Sequence, residues 1–476
     1  MLKRLRRPKD ERGAALIWIA GTLVVLLSMA AFATDLGWIL LWNARLQAAA
    51  DAAALAGVVN LPGFPAEARA DAELAAGANR FPVPGRATLT DQVIAENEYR
   101  VTLDAEVDTF FLRLIGFDTF DLSQTAHAQY IKPVRLGSPS NQFGGPPADF
   151  WAAINGRYTE IQQGDPYASQ CTSINNEASS PGCNGATNPG YRAGGYYYGI
   201  EVGPGSNTLS VEFFDGGHYI DVGGSPTGDL SWAWDWPVGE RGVYLQYNLF
   251  EPDSTPTDPT DNSVLRCSDI FPVDDDITDG HNNSWSGSNN CSVAGPLTEG
   301  VWVLQLPSPL WEGSTKFGVR ANVGSGPVPK MYGILDMSIY VNSDGGSAEP
   351  YLAEIRSEHG GKTLEVDIWD LGDNDGSAEI RFIDPVGGNS NPPDCTWTST
   401  NGESDNSLGD CVIDISDQRF NAEWLRVTIP IADDPCNPAL GNDRCWWKVH
   451  IESSAQAHDR TTWTARVSGD PVRLVD

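Results

Sequence analysis

Gly205-Ser206-Asn207-Thr208-Leu209-Ser210-Val211-Glu212-Phe213-Phe214-Asp215-Gly216-Gly217 is answered, 155 residues later, by Gly360-Gly361-Lys362-Thr363-Leu364-Glu365-Val366-Asp367-Ile368-Trp369-Asp370-Leu371-Gly372. Successive side chains on a strand point to opposite faces, so Leu209, Val211 and Phe213, like Leu364, Val366 and Ile368, line one buried face each. The Asp-x-Gly that closes each run is turn chemistry. Working outward, Leu249-Phe250-Glu251-Pro252 answers Phe382-Ile383-Asp384-Pro385, and the pair Cys267/Cys291 answers Cys395/Cys411. Val301 to Pro307 reads as the counterpart of Trp424 to Pro430, and Lys316 to Arg320 of Thr462 to Arg466. Two copies sharing strands and a crosslink predict tandem jelly-roll-like β-sandwich domains at 150–328 and 329–476. With 49 Gly and 32 Pro, the chain suits turn-rich β structure, so the expected class is mainly β.

The eight cysteines fall in order as Cys171/Cys183, Cys267/Cys291, Cys395/Cys411 and Cys436/Cys445. An even number without C-x-x-C reads as disulfides formed outside the cytosol. Short loops favour pairing in sequence order, although eight cysteines allow about 105 connectivities.

Charge and hydropathy at the start of the chain agree with export. Residues 1–12 carry six basic and two acidic side chains, a net +4 within a chain whose total is −32. Gly13 to Thr34 then contains no charged side chain over 22 residues. About 20 apolar residues cross a bilayer as a helix, and the basic flank stays cytoplasmic. The expectation is a basic cytoplasmic segment (1–12) and a transmembrane helix (13–34) in the cell membrane. The single-pass chain would leave its bulk periplasmic or extracellular. A signal peptide cleaved after Ala31-Phe32-Ala33 is the alternative. The acid excess excludes nucleic acid as a partner, because phosphate binding needs clustered Lys and Arg.

Residues 35–132 read as an α/β membrane-proximal module. Its first helix carries a polar stripe, Asn43, Gln47 and Asp51, which would offer a docking face to partner helices or to water. A second helix is expected at Ala66 to Ala78, then strands over Tyr99 to Val107 and Ser123 to Ile131. Pro and Gly punctuate 133–149, which reads as a linker.

Three strings in this region carry a resemblance: Arg12-Gly13-Ala14-Ala15 opening the apolar run, Asp35-Leu36-Gly37, and Gln47-Ala48-Ala49-Ala50-Asp51-Ala52-Ala53-Ala54-Leu55-Ala56-Gly57. Together with Thr109 to Gly116 and Ala126-His127-Ala128, they resemble the N-terminal module of TadG-like proteins, from bacterial tight-adherence (Flp pilus) assembly systems. The resemblance covers about residues 12–132. It implies a structural or adaptor role in pilus assembly or surface adhesion, with pilus-assembly or envelope proteins as partners. The Asp-x-Ser-x-Ser string that opens the metal site of many relatives' von Willebrand A-type domain is absent. Trp18 stands where pilin-like relatives carry Glu.

Among candidate chemistry, Asp370, Asp373 and Asp375 form an acidic turn that would suit Ca²⁺ or a solvated hairpin. Asp274, Asp275, Asp276 and Asp279 make a second acidic loop with the same two readings. Trp232, Trp234 and Trp236 share one strand face, which serves either as core or as a stacking platform for a surface glycan. The six His are scattered, and H-E-x-x-H, G-x-S-x-G and phosphate-loop strings are missing, so no enzyme is expected. A glycan- or surface-binding envelope protein is the second functional class, and a polysaccharide hydrolase the remote third.

Overall fold

The computed structural model describes residues 12–59, 65–95, 98–130, 134–148, 150–173, 183–185, 187–215, 218–220, 229–231, 245–253, 255, 258–271, 285, 291–310, 313–342, 346–372, 376–388, 392–454, 458–468 and 472–475. They fall into two compact units, 1–131 with 472–476, and 132–471.

The first unit is built on one continuous helix, α1 (Arg12–Val58). Its first half is exposed all round, and Leu16–Val58 is long and apolar enough to cross a membrane. From Ile39 onward one side is buried, through Trp42, Leu46, Ala49, Ala50, Ala53 and Ala54. Alanine keeps that side thin, so α2 (Pro65–Ala78) packs close through Ala68, Ala72 and Ala76. Pro65 opens α2, where its missing N–H costs nothing. Gly57 marks the tightest approach: a Cβ there would lie 2.5 Å from the Tyr99 ring and 2.6 Å from the Ala68 carbonyl oxygen. The helices pack on an antiparallel sheet of β1 (Ala87–Ala95), β2 (Glu98–Asp108) and β3 (Thr119–Tyr130), completed by the strand Val472–Leu474 (β27). Strands β1 and β27 were not among the expected elements.

The second unit contains both sequence repeats. The first supplies β4 (Gln142–Phe143), β5 (Phe150–Asn155), β6 (Tyr196–Val202), β7 (Asn207–Asp215), β8 (His218–Ile220), β9 (Asp229–Ser231), β10 (Leu245–Phe250), β11 (Leu265–Phe271), β12 (Cys291–Val293), β13 (Gly300–Leu306) and β14 (Ser314–Ser325). Next come β15 (Lys330–Ile334), β16 (Asp336–Asn342), β17 (Ser347–Ala348), β18 (Tyr351–Glu354), β19 (Thr363–Leu371), β20 (Ala378–Ile383), β21 (Cys395–Ser399), β22 (Ser404–Leu408), β23 (Val412–Asp414), β24 (Phe420–Pro430), β25 (Trp446–Ser453) and β26 (His458–Val467). One sheet runs β12-β7-β14-β5-β16-β26-β19-β24-β21-β22 through both repeats. Two five-stranded sheets, β11-β10-β13-β6-β15 and β17-β25-β20-β23 with β18 on β25, supply the other layer. One apolar core drawn from both repeats, from Val134 to Trp463, lies between the layers, and a smaller cluster gathers Val303, Tyr332, Ile334 and Trp446.

This differs from two independent domains divided at 328/329. Strands β5 and β16, which would each be an open edge in an isolated sandwich, pair antiparallel with Ile339 opposite Ala152. Pairing them satisfies backbone groups that an edge leaves to solvent. The segment read as a linker is also structured. Val134, Leu136 and Phe143 are buried, and Leu136 bridges to Gly333 and Ala353.

Register corrects one repeat assignment. Leu249 lies opposite Leu304, and its equivalent Phe382 lies opposite Val449. The counterpart of β13 is therefore β25, placing buried Trp302 beside buried Trp447 in the repeat. Strand β24, chosen from its alternating apolar letters, pairs instead with β19 and β21 in the large sheet.

Candidate functional site

All eight cysteines are oxidised in sequence order: Cys171–Cys183, Cys267–Cys291, Cys395–Cys411 and Cys436–Cys445. Cys267 lies on β11 of a small sheet and Cys291 on β12 of the large one. Cys395 on β21 of the large sheet and Cys411 beside β23 of the other small sheet make a second crosslink between layers, with the order of the two layers reversed along the chain.

Residues between β5 and β6 form a clasp over the joint between repeats. Trp369 Nε1 donates to the Ile161 carbonyl at 2.7 Å, and the Thr462 hydroxyl to the Gly164 carbonyl at 2.8 Å. Asp165 is fully buried and accepts from the N–H groups of Asn155, Tyr167 and Ala168 and from the Tyr196 hydroxyl at 2.7 Å. Burial raises its carboxyl above the usual range, against the pull of these donors. Asp336, paired with Arg192 of the first repeat, is pushed up to about 6 by burial, with Arg192 opposing. On the facing layer, buried Arg135 reaches Glu201 at 2.8 Å and Glu354 at 3.4 Å. Burial raises the Glu354 carboxyl, but Arg135 and Arg356 outweigh it and hold it low. Asp165, Asp336, Arg135 and Glu354 are buried at the joint, while Arg192 and Glu201 reach them from the half-exposed side.

Beside the clasp lies an open cleft of about 470 Å³, lined by Tyr167, Asp367, Thr398, Ser399, Thr400, Trp424 and Arg426. Trp424 stands 5.3 Å from the Trp369 ring and 6.1 Å from that of Tyr167. Arg426 grips both oxygens of Asp367, at 2.5 and 2.9 Å. Half-buried aromatic faces beside hydroxyls and a fixed ion pair offer stacking and hydrogen bonding together. Sequence reasoning missed this cleft because Tyr167 and Trp424 are separated by more than half the second unit.

Of the expected site residues, Asp370 is buried, and its carboxylate accepts the Ala422 N–H. Asp373, Asp375, the Asp274–Asp279 loop and Trp232, Trp234 and Trp236 lie outside the described residues. Among the described residues, no group of three His, Cys, Asp or Glu side chains is placed to hold a metal ion. The stripe on α1 is engaged within its own unit. Asn43 accepts from Gln124 at 2.7 Å, while Gln47 donates to Asp51 at 2.7 Å and to the Thr125 carbonyl at 3.3 Å.

Where α1 passes from all-round exposure to one-sided burial, Asp35 is fully buried. Its carboxylate accepts the backbone N–H groups of Phe110 and Phe111 at 2.8 Å and of Leu112 at 2.6 Å. Three donors on one carboxylate fix the loop after β2 to the point where the exposed apolar helix ends. Asp35, the stretch ending at Gly57 and the helix they share thus form a structural unit. Residues 13–70 match the family model described as putative Flp pilus-assembly TadE/G-like. The match takes in α1 from its second residue and the start of α2, so the resemblance at the head of the chain is a family match there. No curated protein and no solved structure matches the chain. The TadE/G-like segment therefore carries the family context, and its apolar helix is a candidate membrane anchor.

Proposed function

We propose that the chain is a single-pass envelope protein with a structural or adaptor role in Flp pilus assembly or surface adhesion, its β-rich bulk held outside the cytosol. The observation that carries this reading is the TadE/G-like match on a helix whose first half is a bare apolar span and whose second half is module core. Such a helix ties the anchor rigidly to the folded part. The four disulfides support export, since they persist in oxidising compartments. On this reading the chain performs no catalysis; it tethers a crosslinked β body to the membrane for envelope partners. Crosslinking in cells, followed by identification of the partners, tests it. Capture of pilus-assembly components supports the role, and capture of none in a piliated host contradicts it.

The cleft at Tyr167 and Trp424 favours a second reading, binding of a surface glycan through aromatic stacking. Glycan-array binding abolished by Trp424→Ala would support it; binding unchanged by that substitution would exclude this cleft.

A further inference from the structure

The loop after β2 turns its apolar side chains outward. Phe110, Phe111, Leu114, Ile115, Phe117 and Phe120 are 45 to 79% exposed. A soluble surface rarely gathers so many large apolar groups on one short loop. The loop is also held in shape. The Thr109 N–H donates to the Asp118 carbonyl at 3.1 Å, the Gly116 N–H to the Arg113 carbonyl at 3.2 Å, and Asp35 clamps three successive N–H groups. Phe110 lies 5.1 Å from the ring of Trp38 on α1. This apolar lobe is therefore contiguous with the exposed apolar helix within one unit.

Helical rise fixes the level at which the lobe sits. Trp18 and Trp38 are separated by about 30 Å along a helix, the thickness of a hydrocarbon core. Tryptophan favours the membrane–water boundary. Asp35 and the lobe thus fall at the level where α1 leaves the bilayer. Asp108 and Asp121 flank the lobe and Arg113 and Asp118 lie within it, all exposed; charged groups are costly in hydrocarbon, which limits the depth of entry to the interfacial layer.

We propose that the Phe110–Phe120 loop is a second membrane contact, seated in the interfacial layer of the bilayer that α1 crosses and fixing the orientation of the module against it. The proposal rests on the anchor reading of α1. It commits to lipid as the occupant, because the lobe continues the apolar surface of the helix at the same level.

The test uses the full chain, with its native disulfides, in phosphatidylethanolamine/phosphatidylglycerol vesicles. Single cysteines at Leu114→Cys, Ile115→Cys, Leu23→Cys and Thr102→Cys carry a nitroxide. Collision rates with oxygen and with a water-soluble nickel complex report immersion. The expected result is oxygen-dominated collision at 114 and 115, as at 23, and nickel-dominated collision at 102. Nickel-dominated collision at 114 and 115 with 23 still immersed overturns the proposal alone. Protection of 114 and 115 from both agents also overturns it, assigning the lobe to a protein partner or a second copy. A nickel-accessible label at 23 overturns the anchor reading and this proposal together. Two labelled positions in the loop guard against one variant misfolding.

Discussion

Gly164 shows how one residue holds the joint between the repeats. Its φ is +89°, and an added Cβ would lie 2.0 Å from the Arg460 carbonyl oxygen. Gly164→Ala should therefore destabilise the second unit by more than about 1 kcal/mol, measured by urea unfolding; an unchanged midpoint would count against the clasp. Asp336 gives a pH signature. Burial pushes its carboxyl up to about 6 from an ordinary 3.8, so between these values the folded state binds more protons than the unfolded one. Its contribution to stability falls as pH rises through that window and levels off above it. Asp336→Asn cannot titrate, so its stability relative to the parent should improve on the order of 2 kcal/mol between pH 4 and pH 7. Unfolding of both proteins at the two pH values checks this, and a gap that stays constant or widens the other way would refute it. Neither residue stood out in the sequence. A glycine among many and an aspartate among 63 acidic residues acquire meaning only from partners brought close by folding.

Local periodicity was enough for several elements. The alanine-rich stretch to Gly57 falls in the second half of α1, the helix expected at Ala66 to Ala78 is α2, and alternation over Tyr99 to Val107 located β2. The repeat located β7 and β19. Alternation failed where two strands share a pattern, since both β24 and β25 resemble β13 in apolar rhythm and only hydrogen-bond register separates them. The corrected pairing has an energetic consequence. Trp302 and Trp447 are both about 1% exposed at equivalent positions between the layers. Trp302→Ala and Trp447→Ala should each cost about 3–5 kcal/mol, seen as a loss of thermal stability of the detergent-solubilised chain. A small effect at Trp447 alone would break the proposed equivalence. Strand β27 was invisible for a different reason: its pairing with β3, with Arg473 bonded to Gln129 at 3.0 and 2.6 Å, joins segments more than 340 residues apart.

At the scale of the molecule, two duplicated sandwiches share one sheet because each would otherwise present β5 or β16 as an open edge. The duplication was legible in the sequence; the fusion was not, because it depends on which edges meet. For the candidate site, the cysteine order and the membrane-proximal motif could be read directly, while the cleft at Trp424 and the clamp at Asp35 required the fold. Anchoring with export is the claim on which the proposed function depends. Protease added to spheroplasts of the host tests it most directly. The account expects digestion of the β-rich bulk while the cytoplasmic membrane is intact, leaving a short membrane-bound fragment that contains the start of α1. A full-length chain that survives until the membrane is broken would contradict it.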